Sequence, residues 1–377
     1  MNLAGVIAPS TATTRLDHIH ANLGLVRARV GNRKVLAAVK ANAYGHGAVE
    51  VARMIEATQA ADWLGVSTVE EGVELREAGV RMPILKLNVA RGDDVRAAIA
   101  ADLTLIVVDE ESITAAGRVA AELDRRVEVQ LKVDTGMHRL GCAPRDAPRL
   151  AALATITPRM RVGGVMSHLP SADVPAQNDY TVAQIARFAR VCAEIEAITG
   201  PVVKHLANSA GIIAYPDSWF DMVRPGIMVY GAYPSPQIAR IGRLLPGLEW
   251  TTWLASLTHI EAGESVGYGR TWTAPHDTWI GTFPVGYADG YSRALSNRGR
   301  VFVGGQAYPI AGRVCMDQTM VDLGPRTDAK VGDEVTLIGR RGTSEITTTE
   351  LADIMGTIPH EVMCLIGDRV QRAVVPA

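Results

Sequence analysis

Cysteine is scarce in this chain of 377 residues, and the four present, Cys142, Cys192, Cys315 and Cys364, stand far apart with no CxxC pair. That spacing argues against a structural zinc site or a disulfide framework and fits a reducing compartment. An excess of charge of one sign is also missing. Lysine and arginine total 38 against 40 aspartates and glutamates, a formal net charge of -2. With no basic stripe or run, nucleic acid is not an expected partner. No apolar run reaches the roughly 18 residues that a membrane-spanning helix needs, so no membrane partner is expected. The N-terminal MNLAGVIAPSTATTRLDHIH has no charged start followed by a long apolar core. A cytoplasmic location is the expectation. Ligand spacings such as HxxxH or paired carboxylates do not occur, so no metal centre is expected. Internal repeats and low-complexity segments are lacking as well.

The chain does have length and an ordinary apolar share, 47%. It exceeds the roughly 250 to 300 residues at which single cores stop growing, which predicts two domains. Over the first 230 residues, apolar runs at 35–40, 63–68, 82–87, 103–109, 127–134, 161–169, 202–209 and 222–231 alternate with stretches such as TVEEGVELREAG and YTVAQIARFARVCAEIEAITG. The latter carry apolar residues at helical spacing. About eight strand–helix units with near-continuous apolar strands predict a TIM-like, eight-stranded α/β barrel. The pattern changes near Pro234. Beyond PSPQ come β-like runs split by glycine, as in WIGTFPVGYADGY and RVFVGGQAYPIAG, with one helix at TTTELADIMG capped by Thr348 or Thr349. That is the pattern of a mostly antiparallel β domain. The expected division is an arm over 1–12, a barrel over 13–235 and a β domain over 236–377.

In a barrel, working groups gather at the C-terminal ends of the strands. VLAAVK ends on Lys40, with Tyr44 four residues on in VKANAYGHG. A lysine at a sheet rim can form a Schiff base when partial burial lowers its pKa. The isolated pattern also suits a surface lysine closing a strand. Lys132, Asp134 and Arg139 lie in LKVDTGMHRLG, His168 ends VMSHL, Asn208 and Ser209 end HLANS, and Arg224 precedes Gly226 and Ile227 in VRPGIMVYG. Gly226, Ile227 and Ser209 could offer backbone N–H groups and a hydroxyl to an anion, and late barrel loops often do so. Gly226 could equally serve only a tight turn after Pro225. A phosphorylated aldehyde cofactor is the simplest joint explanation of the anion site and Lys40.

VKANAYGHG, KVDTGMHRLG, SHLPSAD, HLANSA, RPGIMVYG, VGYGRTW, PVGYADGYSR and GRVCMDQTMVDL each resemble a segment of the alanine racemase family, in the family's order and over nearly the whole chain. The resemblance implies an amino acid racemase, an isomerase dependent on pyridoxal 5'-phosphate, that interconverts L- and D-alanine and supplies or consumes D-alanine. It implies a homodimer with shared active sites and an N-terminal arm packed with the β domain. Lys40 is similar to the lysine that binds the cofactor covalently and acts as one base. Tyr268 resembles the opposite base, contributed by the partner subunit. Tyr44, Ser209, Gly226 and Ile227 match phosphate-binding positions, and Asn208 lies among the cofactor-binding residues. Arg224 matches the arginine facing the pyridine nitrogen, and His168 the histidine supporting it. Arg139 matches an arginine near the cofactor's phenolic oxygen and the substrate. Lys132 matches a lysine often carbamylated, which holds that arginine. Met316 and Asp317 match the segment meeting the substrate carboxylate. Asp173, Tyr287, Arg293 and Arg313 match the corridor leading to the site.

One position departs from the family. TIPHEVMC carries His360 where the family usually has a phosphate-binding tyrosine that packs beside the substrate's side chain. Two expectations follow. The pocket is wider or more polar and admits serine or other amino acids beside alanine, or His360 simply replaces the phenol's hydrogen bond.

Overall fold

The computed structural model describes residues 8–377, and the first seven residues of the expected arm lie outside the described ones. The chain divides into two compact units. One holds Ile19–Ala43 and Ala48–Leu245; the other holds residues 8–18, Tyr44–Gly47 and Pro246–Ala377. Strand β1 (Ser10–Arg15) belongs to the second unit.

The first unit is a barrel of eight parallel strands: β2 (Lys34–Ala38), β3 (Trp63–Val66), β4 (Ile84–Val89), β5 (Thr104–Val107), β6 (Val127–Lys132), β7 (Met160–Met166), β8 (Val203–His205) and β9 (Met222–Val223). Each of β2 to β7 pairs with the next in sequence, and β9 pairs back onto β2. Single hydrogen bonds complete the turn between β8 and β9, Asp221 N–H to Lys204 O at 3.0 Å and Arg224 N–H to Ala207 O at 2.9 Å. All eight apolar runs expected to be strands are strands. Three of them, β7 to β9, are shorter than the runs, because the polar ends SHL, LANS and RPG leave the sheet and become loops at the mouth. Leu36, Leu85, Ile106, Met166 and Met222, one from each of five strands, pack as a buried cluster inside the barrel. Helix starts follow side-chain chemistry. Thr68 caps Val69–Glu77 in a capping box with Glu71, and Asp109 caps Glu110–Glu122.

The second unit is mostly antiparallel. Its larger sheet runs in the order Gln306–Pro309, Arg300–Val303, Glu334–Arg341, Leu248–Trp253, β1, Gln371–Val375, with Ser344–Ile346 beside Glu334–Arg341. β1 is antiparallel to Leu248–Trp253 and parallel to Gln371–Val375. Three further strands, Ser256–Ile260, Thr278–Phe283 and Thr319–Gly324, form a second sheet. Trp250, Tyr291, Phe283 and Phe302 anchor the core, and Trp250 meets Tyr291 edge-on at 5.8 Å between ring centres. Helix Thr348–Met355 is capped by Thr347, whose Oγ1 accepts the Glu350 N–H, rather than by Thr348 or Thr349. A second helix, Pro359–Leu365, was not read from the sequence.

The compact units differ from the expected division at three places. β1 runs on to Arg15, so residues 8–18 group with the β unit. Tyr44–Gly47 also count there. Residues 236–245 stay with the barrel, since the Asn22 amide donates to Leu245 O and accepts from Leu245 N–H, both at 2.8 Å. No helix among the described residues is long and apolar enough to cross a membrane.

Candidate active site

Lys40 sits where β2 ends. The strand's last residues are fixed on both sides: Val39 N–H donates to Gly65 O at 2.9 Å, Ala38 N–H to Pro225 O at 3.1 Å, and the Tyr230 hydroxyl to Ala38 O at 2.7 Å. The next turn, Lys40–Gly45, coils with the opposite hand. Ala41, Asn42, Ala43 and Tyr44 have φ between 51° and 54°, and Gly45 has φ 79°. A left-handed residue other than glycine costs roughly 1–2 kcal/mol, so four in a row cost on the order of 4–8 kcal/mol. Local hydrogen bonds offset that strain. Ala43 N–H donates to Val39 O at 2.7 Å, Ala41 N–H to Glu71 Oε1 at 2.6 Å, and Ala48 N–H to Asn42 Oδ1 at 2.7 Å. A glycine-containing turn is expected here from VKANAYGHG, and its hand is not. Gly45 is required for space as well, since a Cβ there would lie 2.4 Å from Met363 O.

At the same end of the barrel the cations crowd together. Lys132, only 5% exposed, ends β6. Its pKa falls to about 8, first through burial and then through Arg224, Arg139 and Lys40, with Asp134 pulling the other way. His168 is held well below the usual imidazole value, by burial and then by Arg224, Arg139, Lys132 and Lys40, so it is neutral. Arg139 is exposed on a loop whose Asp134 Oδ1 accepts the Gly136 and His138 N–H groups.

Arg224 is 6% exposed, and both of its terminal nitrogens meet acceptors. One terminal nitrogen donates to His205 Nδ1 at 3.0 Å and His205 O at 2.9 Å. The other donates to Ser167 O at 2.6 Å and Leu206 O at 3.0 Å, and lies 3.4 Å from His168 Nδ1. Burial first, then Arg139, lowers its pKa to about 9, so it stays protonated at neutral pH. Because His205 Nδ1 accepts from a guanidinium, its proton is on Nε2, which donates to Gln130 Oε1 at 2.7 Å. Burial keeps His205 well below its usual pKa. The supporting role expected of His168 is shared with His205 and Gln130, for which the sequence implies no role. His205 opens the HLANS segment, yet only the fold turns its ring toward Arg224.

Ser209 and Gly226 meet, the Gly226 N–H donating to Ser209 Oγ at 3.0 Å. Ser209 opens helix Ser209–Ala214 and Ile227 opens the turn Ile227–Tyr230. First-turn N–H groups have no partner within their own helix. Asn208 is spent on this scaffold: its Oδ1 accepts the Gly211 N–H and its Nδ2 donates to Leu169 O, both at 3.0 Å. Asp173 lies in the loop after β7.

The β unit holds the remaining predicted residues. Tyr268, Tyr287, Arg293, Arg313, Met316 and Asp317 line one groove of about 670 Å3. Tyr268 is 76% exposed and Met316 53%. Tyr287 and Ala288 N–H donate to Cys315 O and Met316 O, each at 3.0 Å. That pairing needs Gly286, where a Cβ would fall 2.3 Å from both carbonyl oxygens. The Asp317 carboxylate accepts from Arg369 at 2.8 Å. Tyr44 and His360 pack with ring centres 5.8 Å apart. Burial, chiefly, raises the Tyr44 phenol to about 12, so it remains a neutral hydroxyl.

A parallel barrel whose mouth gathers three further cations around a strand-end lysine is a framework suited to an enzyme that works on an anionic ligand. Comparison with known proteins gives the particular family. Residues 14–234 match the family model "Alanine racemase, N-terminal domain" and residues 248–374 "Alanine racemase, C-terminal domain". The chain is 46% identical over 366 residues to the alanine racemase of Cutibacterium acnes, covering 97% of each chain. It is 43% identical to that of Symbiobacterium thermophilum, covering 99% of this chain and 98% of that one. Among solved structures, the alanine racemase of the D-cycloserine producer Streptomyces lavendulae superposes with a TM-score of 0.93 at 36% identity, over 99% of this chain and 98% of that one. The Bacillus anthracis alanine racemase, solved with bound L-Ala-P, gives 0.90 at 31% identity, over 99% and 96%. The chain belongs to the alanine racemase family and is an isomerase.

Proposed function

We propose that this enzyme interconverts L- and D-alanine with pyridoxal 5'-phosphate held in the barrel mouth, using Lys40 and a partner subunit's Tyr268 as two bases on opposite faces of the substrate. One observation carries the reading: Lys40, Lys132, Arg139 and Arg224 converge on one barrel end, with Asp134 the single carboxylate acting on Lys132. Such a cluster suits a ligand bearing a phosphate and a phenolate.

The donor set fits that cofactor. Arg224 spends both terminal nitrogens on protein atoms, while its Nε–H meets no acceptor among the described residues and suits a ring nitrogen. Ser209, Gly226, Ile227 and Tyr44 would hold the phosphate, Arg139 the phenolic oxygen, and Lys40 would bond the aldehyde carbon. When bound, the cofactor's conjugated ring spreads the negative charge left on Cα when its proton is removed.

The chain's own groups do the rest. Lys40 Nζ takes or returns the proton on one face, and the Tyr268 hydroxyl does so on the other. Arg224 has only N–H donors and stays charged, so it fixes the ring nitrogen without supplying a proton sink, which disfavours side reactions that need a protonated ring. With pKa about 8, Lys132 has a share of free amine near neutral pH that can add carbon dioxide. The carbamate would place an anion among the cations and orient Arg139.

An exposed tyrosine beside two arginines and Met316 on the β unit supports a two-fold homodimer in which each groove serves the partner's barrel. Borohydride trapping in the presence of the cofactor, followed by peptide mapping, tests the proposal. The label is expected on Lys40; a label elsewhere ends the reading.

A further inference from the structure

We infer that Glu71 is a positioning residue for Lys40, acting through the backbone of the reversed-hand turn; this rests on reading Lys40 as the cofactor-bearing lysine. Glu71 belongs to a different strand–helix unit, at the third position of helix Val69–Glu77. Its Oε2 accepts the N–H groups of Ser67 at 2.6 Å and Thr68 at 3.2 Å, which completes the capping box of its own helix. Its Oε1 reaches across the barrel rim and accepts the Ala41 N–H at 2.6 Å. That amide is the first one after Lys40.

The arrangement has a reason in the backbone. Four residues with positive φ follow Lys40, three of them alanine or tyrosine, which gain nothing locally from that conformation. A right-handed continuation of the chain would carry Lys40 with it. A carboxylate on Ala41 N–H, together with Val39 O on Ala43 N–H, holds the peptide plane next to the Lys40 Cα in place. Charge-assisted bonds of this kind are about twice as strong as neutral ones.

The chemistry of the acceptor also explains why an acid serves here. Three N–H donors converge on two oxygens, and each oxygen must accept. A glutamine offers one oxygen and one NH2, so either Ala41 or the Ser67–Thr68 pair faces a donor. An aspartate is one methylene short of spanning both.

The test compares Glu71→Gln with Thr68→Ala in the holoenzyme. Thr68→Ala removes the hydroxyl that accepts the Glu71 N–H and weakens the same helix start without touching Ala41. For Glu71→Gln, kcat is expected to fall about 10- to 100-fold with KM little changed, as a misplaced reacting group requires. Deuterium exchange of amides 41–45 is expected to quicken in the same variant. Thr68→Ala is expected to lower Tm by a similar amount yet keep wild-type kcat and wild-type exchange in that segment. Wild-type kcat and exchange in Glu71→Gln would overturn the role, as would an equal kcat loss in Thr68→Ala, since capping alone would then explain it. Borohydride mapping of the wild-type enzyme separates this inference from the one beneath it. A label on Lys40 with unchanged Glu71→Gln kinetics overturns the positioning role alone, and a label elsewhere overturns both.

Discussion

The barrel mouth and the groove on the β unit are built on opposite plans. Arg224 is nearly buried and each of its terminal nitrogens is spent on protein acceptors. Tyr268 is three-quarters exposed, on a turn flanked by Gly267 and Gly269 with positive φ. One region is fixed by its own chain before any ligand arrives. The other presents aromatic and cationic side chains to solvent, which a chain working alone has little reason to do. The contrast teaches that one region is complete within its own chain, as the proposed cofactor cradle requires, and that the other is open, as a site shared in the proposed dimer requires.

Complementation between inactive variants puts the largest effect on that contrast. Lys40→Ala and Tyr268→Phe should each lower kcat by at least about 100-fold, the span of a lost general base. Because Tyr268 is exposed, its variant should keep the wild-type Tm. Mixed after subunit exchange, the two should recover about a quarter of wild-type activity, since half the dimers carry one intact site of two. No recovery would place both bases in one chain's site and break the division between the regions.

The next effect sharpens the finished half. Gln130→Leu leaves His205 Nε2–H buried without its acceptor, a penalty of about 1–3 kcal/mol, measurable as a lower urea midpoint with the same m-value. The same change on an exposed groove residue such as Arg293 should leave stability within about 0.5 kcal/mol.

A pH series separates the regions by charge. His168 and His205 are held below 6.5 in the fold, so the unfolded chain binds more protons as pH falls beneath 6.5, and stability is lost there. Lys132 has the same sign at higher pH. Its folded pKa is about 8 against 10.5 unfolded, so burying it charged opposes folding below pH 8, and stability rises from about pH 8 to 10.5. With carbon dioxide excluded, Lys132→Met should flatten that rise, worth on the order of 3 kcal/mol. Carbon-13 NMR under labelled carbon dioxide should show a carbamate resonance in the wild type that Lys132→Met lacks.

The barrel was legible because its strands are buried on both faces and its helices on one, so both periods stand out in the sequence. The site was legible as a set of strand-end residues. What was not legible depended on direction. VKANAYGHG shows a turn, yet of Ala41–Tyr44 only Asn42 is of a type that favours the left-handed region, and one asparagine does not announce a run of four; the bonds to Glu71 and Val39 hold the rest. His168 and His205 look alike as strand-end histidines, and only the pairing of the chain after β8 with that after β9, through Arg224 N–H to Ala207 O, sets His205 3.0 Å from the Arg224 guanidinium. Asn208 reads as a ligand by its chemistry, whereas its amide is consumed in capping Ser209–Ala214.

The smallest effect concerns specificity. His360 stands near the start of helix Pro359–Leu365 against the ring of Tyr44, whose hydroxyl remains a neutral donor up to high pH. A histidine is smaller than the tyrosine usual in the family, and its ring nitrogens can pair with a substrate hydroxyl. Refilling the position with His360→Tyr should therefore raise the ratio of kcat/KM for L-alanine over L-serine, by less than about 100-fold, because side-chain shape in a pocket discriminates weakly. An unchanged ratio would mean that His360 only takes over the phenol's hydrogen bond. The groove should be silent in this experiment, since on the proposed reading it would meet the substrate's carboxylate and not its side chain. A shift in the ratio from Arg313→Ala as large as that from His360→Tyr would erase the distinction between a region that selects the substrate and one that completes the chemistry.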